Sequence, residues 1–515
     1  MKKIVYIAVL AVLAMTSASC SKFLTENPNG SLTDSNAFVD KDDAEALINS
    51  CYDGIQKGHD EYYIWYNLIL SDCLADNAYA GGDDIAVINI FRRDIDPLNN
   101  VVMKSWKSLY GGILRTNVVL KMVPGIEDPA LDQISFGEVT RRSEILAEAS
   151  FLRALHYYNI VNIWGDAPLV LTTGSTAPED VNVPRVSKEE IFAQIINDLE
   201  FAEANLPETR STEARTRGLA SKGAAEALLA KTYAVMGTPE TTDWEKVKHY
   251  TDLVMKSGNY SLVPDFNHLY DGQHRNNRET ILAVQYMGNG SPEGNYAPAL
   301  LLPPSLTDQI WRKFLTPSHD LIKAYETAGD EIRKNATIIM EDINDVWYDE
   351  FYAEKVDGKW STKEIPFPYK MRGNDRSGWD CSDLIYLLRY ADIVLLNAEA
   401  VNQLNGPDAV ASLPELQAIR TRAGLGQLTA SSKADMVKKL LDERRLELAY
   451  EGQRFYDLKR YGMAVSTLSK TEWREIVNGK EGFFTKPFPA HYLNMPVPQS
   501  ERDRNPELTQ NEGYN

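Results

Sequence analysis

The sequence predicts a mostly α-helical protein in which packed helical pairs form a scaffold beside a loop-rich, irregular region. Apolar residues recur every three to four positions over many long stretches, which is the spacing of one helix face. Strand patterns are few and short, and residues 280–286 carry the clearest one. Two segments, residues 71–100 and 287–383, are instead broken by glycine, proline and acidic residues, which is typical of long functional loops.

The first 19 residues have the order of an export signal. Lys2 and Lys3 precede an almost unbroken apolar run over residues 4–15, and three small residues stand directly before Cys20. That run has about a dozen residues, whereas a helix needs about 20 to cross a bilayer. We therefore interpret residues 1–19 as a lipoprotein signal peptide and Cys20 as the lipidation site that anchors the protein to a membrane. An ordinary secretory signal is the alternative, because Ser17 stands where lipoprotein signals usually carry leucine.

Composition describes an ordinary globular body with a strong negative charge. Apolar residues make up 43% of the chain and charged residues 25%, so long disorder is not expected. The formal net charge of −19 becomes −21 without the signal, which contains two lysines and no acidic residue. Such a body repels nucleic acid and anionic lipid surfaces, so no nucleic-acid partner is predicted. A neutral ligand such as a sugar is indifferent to this charge.

Helical periodicity fixes most of the predicted elements. In one stretch Ile145, Ala149 and Leu152 share a face, and Glu144 and Glu148 stand on the other side. The predicted helices, in chain order, are residues 42–56, 102–122, 141–164, 188–205, 220–236, 244–257, 383–404, 413–422 and 433–450.

The order of large and small side chains in residues 229–254 indicates how these helices pack. The pattern Leu229-Ala230-x-x-Tyr233-x-x-x-Gly237, followed by Trp244-x-x-Val247, resembles a tetratricopeptide repeat with a lengthened turn. Small residues allow two helices to cross closely. The predicted architecture is therefore a set of tetratricopeptide-like helical pairs that form a superhelical scaffold.

The two loop-rich segments carry the ligand-binding candidates. An aromatic ring lying flat on a sugar buries about 50 Å², worth about 1 kcal/mol. Several rings together with polar side chains that bind hydroxyl groups give micromolar to millimolar affinity. Packing in the core is the alternative for each ring taken alone. The candidates are Asn77, Tyr79, Tyr296, Trp311, Trp360 and Trp379.

Catalytic and cofactor motifs are missing from the sequence. It contains no GxSxG, HExxH, GxxxxGK[ST] or GxGxxG pattern, and its seven histidines include no i, i+4 pair. A glycosidase needs only two carboxylates, so a motif search leaves that activity open. Stacked helices with aromatic loops nevertheless favour binding over catalysis, and we predict no enzyme activity and no cofactor other than the covalent lipid.

Acidic and thiol groups give no firm metal site. Calcium ligands are available at residues 342–350 but lack the order of an EF-hand loop, so a solvated acidic face is favoured and calcium is left open; these ligands are Asp342, Asp345, Asp349 and Glu350. Cys51, Cys73 and Cys381 are an odd number and form no CxxC motif. Three buried thiols are expected, with one disulfide as the alternative.

A dense charged run follows in residues 443–460. Opposite charges stand three and four residues apart, and Gly452 interrupts the helical pattern. We interpret this run as structural, a helix end with charges that pair along the helix.

At this run the sequence becomes similar to a known family, and other motifs repeat the likeness in order along the chain. It resembles the SusD/RagB family of outer-membrane nutrient-uptake lipoproteins of the Bacteroidetes. The motifs that carry the resemblance are Cys20-Ser-Lys-Phe-Leu-x-x-x-Pro28, Ala147-Glu-Ala-x-Phe-Leu-Arg-Ala154, Trp164-Gly-Asp-x-Pro168-Leu, Lys222-Gly-Ala-Ala-x-Ala-Leu-Leu-Ala230-Lys, Leu388-Arg-Tyr-Ala-Asp392, Ile419-Arg-x-Arg-Ala-Gly424, Glu443-Arg-Arg-x-Glu-Leu-Ala-x-Glu-Gly452-x-Arg454, Met495-Pro-x-Pro498, Asn505-Pro-x-Leu508 and Gln510-Asn-x-Gly513-Tyr.

The resemblance implies a location, partners and a division of the chain. The protein would be lipid-anchored at the cell surface of the outer membrane and would deliver oligosaccharides to a SusC-like TonB-dependent transporter. RagB-like members imply the alternative ligand, oligopeptides. The expected regions are a signal peptide (1–19), a lipidated tether (20–41), a SusD-like N-terminal helical region (42–275), a loop-rich ligand-binding insertion (276–383) and a RagB/SusD C-terminal helical region (384–515).

Overall fold

The computed structural model describes most of the chain and gives the bounds of its elements. Cys20 and the predicted signal peptide lie outside the described residues, as does most of the predicted tether. The described residues are 38–56, 64–82, 84–173, 182–288, 293–307, 313–342, 351–352, 354–356, 359–361, 364–378, 380–477 and 480–514.

The protein is mostly helical, as predicted. A π-helical segment, Ile64–Cys73, also occurs. The α-helices are α1 Lys41–Gln56, α2 Ile85–Arg92, α3 Asn100–Met122, α4 Arg141–Trp164, α5 Lys188–Asn205, α6 Glu213–Gly218, α7 Lys222–Met236, α8 Trp244–Lys256, α9 Ala297–Leu301, α10 Pro304–Thr307, α11 His319–Ala328, α12 Glu331–Thr337, α13 Tyr390–Asn405, α14 Pro407–Ala411, α15 Pro414–Arg422, α16 Lys433–Leu448, α17 Arg454–Arg460, α18 Ala464–Leu468 and α19 Gln499–Arg504.

Side-chain caps define where the long helices begin. The hydroxyl oxygens of Thr140, Ser187 and Ser221 accept hydrogen bonds from backbone N–H groups in the first turns of α4, α5 and α7. These N–H groups have no partner within the helix, so a hydroxyl at this position stabilises each start by about 1 kcal/mol.

The long helices stack in sequence order, which positions the rest of the molecule. Each of α3, α4, α5, α7, α8, α13 and α16 packs against the next in this series. The pair α7 and α8, predicted from the repeat-like pattern, is joined across its interface by the stacked rings of Tyr233 and Tyr250, 5.8 Å apart. Gly112 marks the crossing of α3 and α4, because a Cβ atom there would lie 2.2 Å from Nε2 of His156.

The strands form antiparallel two-stranded pairs. The pairs in the described residues are β1 Ala78–Tyr79 with β7 Thr316–Pro317, β2 Ile134–Phe136 with β3 Val139–Thr140, β4 Ala167–Pro168 with β5 Arg185–Val186, β6 Thr280–Val284 with β12 Ile385–Arg389, β8 Ile338–Glu341 with β11 Ile365–Pro368, β9 Glu354–Val356 with β10 Lys359–Ser361, and β13 Glu472–Val477 with β14 Lys480–Thr485.

Two parts of the predicted secondary structure were wrong. Residues 383–389 were expected in a helix, but Ile385–Arg389 is a strand paired with Thr280–Val284, and the helix begins only at Tyr390. A run of apolar residues without a polar face suits a buried strand. The loop-rich segments also contain short helices: Asp84, Ser318 and Asp330 cap α2, α11 and α12.

The charged run of residues 443–460 lies in the interior, and its expected pairing along the helix is mostly replaced by pairing with distant segments. The carboxylate of Glu447 contacts Arg389 and Arg422 at 2.7 Å each and Arg333 at 3.0 Å. Burial alone would raise the pKa of Glu447, but these three guanidinium groups hold it well below its usual range. Arg454 pairs in the same way with Asp76, 378 residues earlier.

The three cysteines of the body, Cys51, Cys73 and Cys381, are buried free thiols. Burial raises the pKa of each thiol well above its usual range. Among the described helices, none combines the length and the apolar character that crossing a membrane requires.

Candidate ligand-binding surface

Backbone pairing brings the two loop-rich segments together. Strand β1 pairs with β7, which sets Ala78 opposite Pro317 and Tyr79 opposite Thr316. Just beyond this ribbon, the N–H of Gly81 donates to the carbonyl oxygen of Lys313 at 3.0 Å. Residues 78–82 therefore run beside residues 313–317. Trp311 stands two positions before Lys313 in the sequence and lies outside the described residues.

Asn77 lies inside the protein and connects distant segments. Its Nδ2 donates to Asp72 at 2.7 Å, and its Oδ1 accepts from Nε of Arg445 at 2.9 Å. Burial raises the pKa of Asp72 to about 6. Hydrogen bonds from Asn77 and from the backbone N–H groups of Gly452 and Tyr450 lower this pKa and only partly offset the effect of burial. With no exposed surface, Asn77 positions the charged run instead of facing a ligand.

Tyr79 is likewise buried and packs among other rings. Its ring lies 4.1 Å from that of Phe351 and 6.0 Å from that of Tyr352, and Phe91 contacts it edge to face. Only 1% of its surface is exposed. Tyr79 is therefore a packing residue, the alternative considered for each ring in the sequence analysis. The aromatic cluster joins the two loop-rich segments, 71–100 and 287–383.

Tyr296 occupies a different position, partly buried against the hydrophobic core and next to a second loop. Its neighbour Asn295 forms a backbone bridge with Cys381: Asn295 N–H donates to the Cys381 carbonyl at 2.7 Å, and the Cys381 N–H donates back at 3.2 Å. Tyr296 is partly exposed. The bridge brings Tyr296 beside the turn of residues 377–380, which contains Trp379; Trp379 lies outside the described residues.

Hydrogen bonds within the loops fix this turn. The Nη1 and Nη2 atoms of Arg376 donate to the carbonyl oxygens of Gly378 and Leu306 at 2.9 and 3.0 Å. The carboxylate of Asp383 accepts from the Gly373 N–H at 2.6 Å and from Nδ2 of Asn374 at 2.9 Å. Burial raises the pKa of Asp383, and these donors lower it. These hydrogen bonds support the residues on both sides of Trp379.

Trp360 stands on a third element, the hairpin of β9 and β10, where it pairs with Lys355. The structure describes the backbone at this position and leaves its side chain outside the description. Phe351 and Tyr352, which pack on Tyr79, stand directly before this hairpin in the chain. The hairpin therefore follows directly after the aromatic cluster that contains Tyr79.

A further exposed ring, absent from the sequence-based candidates, lies on the hairpin of β13 and β14. Phe483 is 53% exposed, and Nη1 of Arg474 in the same hairpin donates to the carbonyl oxygen of Phe351 at 2.8 Å. The hairpin therefore borders the loops that carry the other rings. Its sequence signal is the Asn478-Gly479 pair, which is typical of a tight hairpin.

Two groups of side chains bear on metal binding. Of the acidic group considered for calcium, the structure describes Asp342, whose Oδ1 accepts the Glu364 N–H at 2.9 Å; Asp345, Asp349 and Glu350 lie outside the described residues. A group of His268, Asp271 and His274 has donor atoms close enough to hold an ion.

Two family models match successive parts of the chain. The model of the SusD family matches residues 278–514, and a model described as "Starch-binding associating with outer membrane" matches residues 22–234. Together they cover most of the chain. The chain belongs to the SusD-like family.

Similar proteins include relatives that match this SusD-like chain along its length. SusD-like protein P25 of Formosa agariphila is 24% identical, with 100% of this chain and 99% of the relative aligned. The starch-binding protein SusD of Bacteroides thetaiotaomicron is 26% identical over 72% of each chain.

Solved structures share its fold. A laminarin-binding SusD-like protein superposes with a TM-score of 0.72 at 25% identity, covering 93% of this chain and 100% of the other. A SusD homologue from B. thetaiotaomicron gives 0.75 at 20% identity and covers 93% and 98%. The helical stack and its loops are therefore the SusD-like fold.

Proposed function

We propose that this SusD-like protein is a carbohydrate-binding lipoprotein of the outer-membrane surface that delivers oligosaccharides to a SusC-like TonB-dependent transporter. The observation that carries the proposal is the similarity of almost the whole chain to a structure that binds laminarin. The starch-binding protein SusD and the outer-membrane description of the N-terminal family model support it.

The loops carry aromatic and polar groups of the kind that such binding uses. Two groups of contacts organise these loops. The Asn295–Cys381 bridge places the partly exposed Tyr296 beside the turn that contains Trp379. Tyr79, which lies in the ribbon that pairs with residues 316–317, packs on Phe351 and Tyr352, directly before the hairpin that contains Trp360. Rings on separate loops can contact successive sugar units, each worth about 1 kcal/mol. Asn77 and Tyr79 are left out of this surface because both are buried.

The absence of catalysis is part of the same proposal. A bound glycan would leave unchanged, because capture for transport requires release of an intact ligand. Incubation of the soluble protein with its ligand and assay of new reducing ends measures this directly. Continued release of reducing ends by the pure protein would contradict a purely binding role.

A glycan array probed with residues 21–515, which lack the lipid-bearing cysteine, identifies the ligand class. Binding to a family of related oligosaccharides supports the proposal. Peptide mixtures on the same surface test the RagB-like alternative. Retention of peptides together with no retained glycan would replace carbohydrate with peptide as the ligand.

Membrane attachment is tested separately in cells that express the full chain. The wild-type protein is expected to incorporate labelled fatty acid, and Cys20→Ser is expected to incorporate none. The wild-type protein is also expected to be accessible on the cell surface. An unlabelled wild-type protein would refute the lipid anchor and leave the binding proposal standing.

A further inference from the structure

A tight turn outside the proposed glycan surface gathers three metal-ligating side chains. His268 lies in the 3₁₀-helix Phe266–Leu269, and Asp271 and His274 lie in the turn that follows it. One donor atom from each side chain lies within 4.8 Å of the other two. Gly272 allows the reversal, with φ of 71°, and a Cβ atom there would lie 2.8 Å from Cβ of Asn374.

The carboxylate of Asp271 is positioned by its own turn. Its Oδ1 accepts the backbone N–H groups of Gln273 at 2.9 Å and His274 at 3.0 Å. Its Oδ2 lies 2.7 Å from Nδ1 of His274. One oxygen is therefore held by the backbone, while the other faces the imidazole groups.

The two imidazole rings lie against one another. The ring centroids of His268 and His274 are 3.7 Å apart, with 22° between the planes. The side chain of His274 is 47% exposed and His268 is partly exposed, so an ion can reach the group from solvent.

Two neighbouring cationic side chains, Arg275 and Lys370, contact groups other than the Asp271 carboxylate. Nη2 of Arg275 donates to the carbonyl oxygen of Tyr286 at 3.0 Å. Nζ of Lys370 contacts Glu451 at 2.7 Å and donates to the Glu447 carbonyl at 2.8 Å. Within the described residues, the ion pair of Asp271 is with His274.

We propose that His268, Asp271 and His274 bind a divalent transition-metal ion, with Zn²⁺ as the best match. Two imidazole nitrogens and one carboxylate oxygen suit Zn²⁺, Co²⁺ or Ni²⁺ better than the oxygen-preferring Ca²⁺ or Mg²⁺. Bonds of about 2.0–2.1 Å in a tetrahedral arrangement set donor atoms about 3.3 Å apart. The separations in the turn, from 2.7 Å between Oδ2 of Asp271 and Nδ1 of His274 to at most 4.8 Å within the group, lie on both sides of this value. Rotation of the exposed His274 side chain would adjust them, and water would complete the coordination.

The ion would stabilise the support of a proposed binding loop. Nδ2 of Asn374 donates to the carbonyl oxygen of Tyr270 at 3.0 Å, and Nη2 of Arg372 donates to Oδ1 of Asn267 at 2.8 Å. Both donors lie in the segment that leads to the turn containing Trp379. An ion bound by His268, Asp271 and His274 would therefore also restrain residues 372–374, which lead to that turn.

Calorimetric titration of residues 21–515 with ZnCl₂ tests the site without any glycan. We expect one Zn²⁺ per chain with micromolar affinity, and at least about a tenfold loss of affinity in His268→Ala and in His274→Ala. His249→Ala, which changes a histidine on α8, is the matched control and is expected to bind as the wild type does.

Cobalt provides a second readout that reports the ligands themselves. Co²⁺ bound by two histidines and a carboxylate is expected to give a visible d–d absorption band that changes in Asp271→Asn, while the circular dichroism and melting temperature without metal stay near those of the wild type. No saturable Zn²⁺ binding, or equal binding by His268→Ala and the wild type, would overturn the proposal. Neither result depends on whether the protein binds carbohydrate.

Discussion

Glu226, on α7, is a carboxyl group whose burial has a measurable effect on stability. It is 5% exposed, and burial raises its pKa to about 7, with Lys222 opposing and Glu203 and Glu208 adding to the rise. Because the folded state holds this proton more tightly than the unfolded chain, stability is greatest below the unfolded pKa of 4.5. It falls as pH rises towards about 7 and then stays level.

Glu226→Gln therefore tests this effect with a neutral side chain of similar shape. Its free energy of unfolding at pH 8 is expected to exceed that of the wild type by roughly 1–3 kcal/mol, and the difference should vanish near pH 4. Urea unfolding at both pH values measures it. Glu200→Gln, an exposed change on α5, is the control and should change little at either pH. A gain that is equal at both pH values would contradict the raised pKa.

Single residues also show how far the sequence could locate the ligand surface. Asn77 and Tyr79 resemble surface loop residues in sequence, yet both are buried because Asn77 bonds to Arg445, 368 positions away, and Tyr79 packs on Phe351. No local pattern reports contacts across such separations. Tyr296 comes from a similar loop composition and is partly exposed. Composition identified the loops, whereas the direction of each side chain required the structure.

At the scale of elements, Gly112 tests how closely α3 and α4 must approach. Gly112→Ala places a methyl group 2.2 Å from a ring nitrogen of the buried His156, so the imidazole ring or the two helices must shift. We expect a loss of about 1–3 kcal/mol of unfolding free energy, measured by urea denaturation.

The neighbouring glycine supplies the control. Gly111→Ala meets nothing within 4 Å, and alanine is the better helix former, so this variant should gain about 0.5–1 kcal/mol. A loss of unfolding free energy in Gly112→Ala together with a gain in Gly111→Ala would distinguish the steric effect of the helix crossing from the effect of helix propensity. A gain in both variants would show that the close approach does not constrain the helices.

Long helices with capped ends were predictable from sequence, and a short buried strand was not. The helices Arg141–Trp164 and Lys188–Asn205 begin and end as predicted, because caps and periodicity agree. Ile385–Arg389 was assigned to a helix because a buried apolar run has no period of its own. Its identity as a strand depends on the partner at Thr280–Val284, which lies about a hundred residues earlier.

At the scale of the whole molecule, buried ion pairs join segments far apart in the chain. Arg389 contacts Glu279 at 2.6 Å and Glu447 at 2.7 Å, and Arg454 holds Asp76 at 2.8 Å. Removing one partner of a buried pair leaves an uncompensated charge at a cost of about 3–5 kcal/mol. The sequence motifs around these residues are therefore motifs of the fold. They establish the family and carry no information about the ligand, which depends on the loops.

The central claim is that rings on these loops bind oligosaccharide. Calorimetric titration of the best array ligand into residues 21–515 and into the Trp379→Ala variant tests it most directly, with Phe201→Ala, an exposed ring on α5, as the control. We expect micromolar to millimolar affinity for the wild type and the control, and an affinity about fivefold lower for Trp379→Ala, the loss of about 1 kcal/mol. Equal affinity in all three proteins would contradict the assignment of this turn to the binding surface.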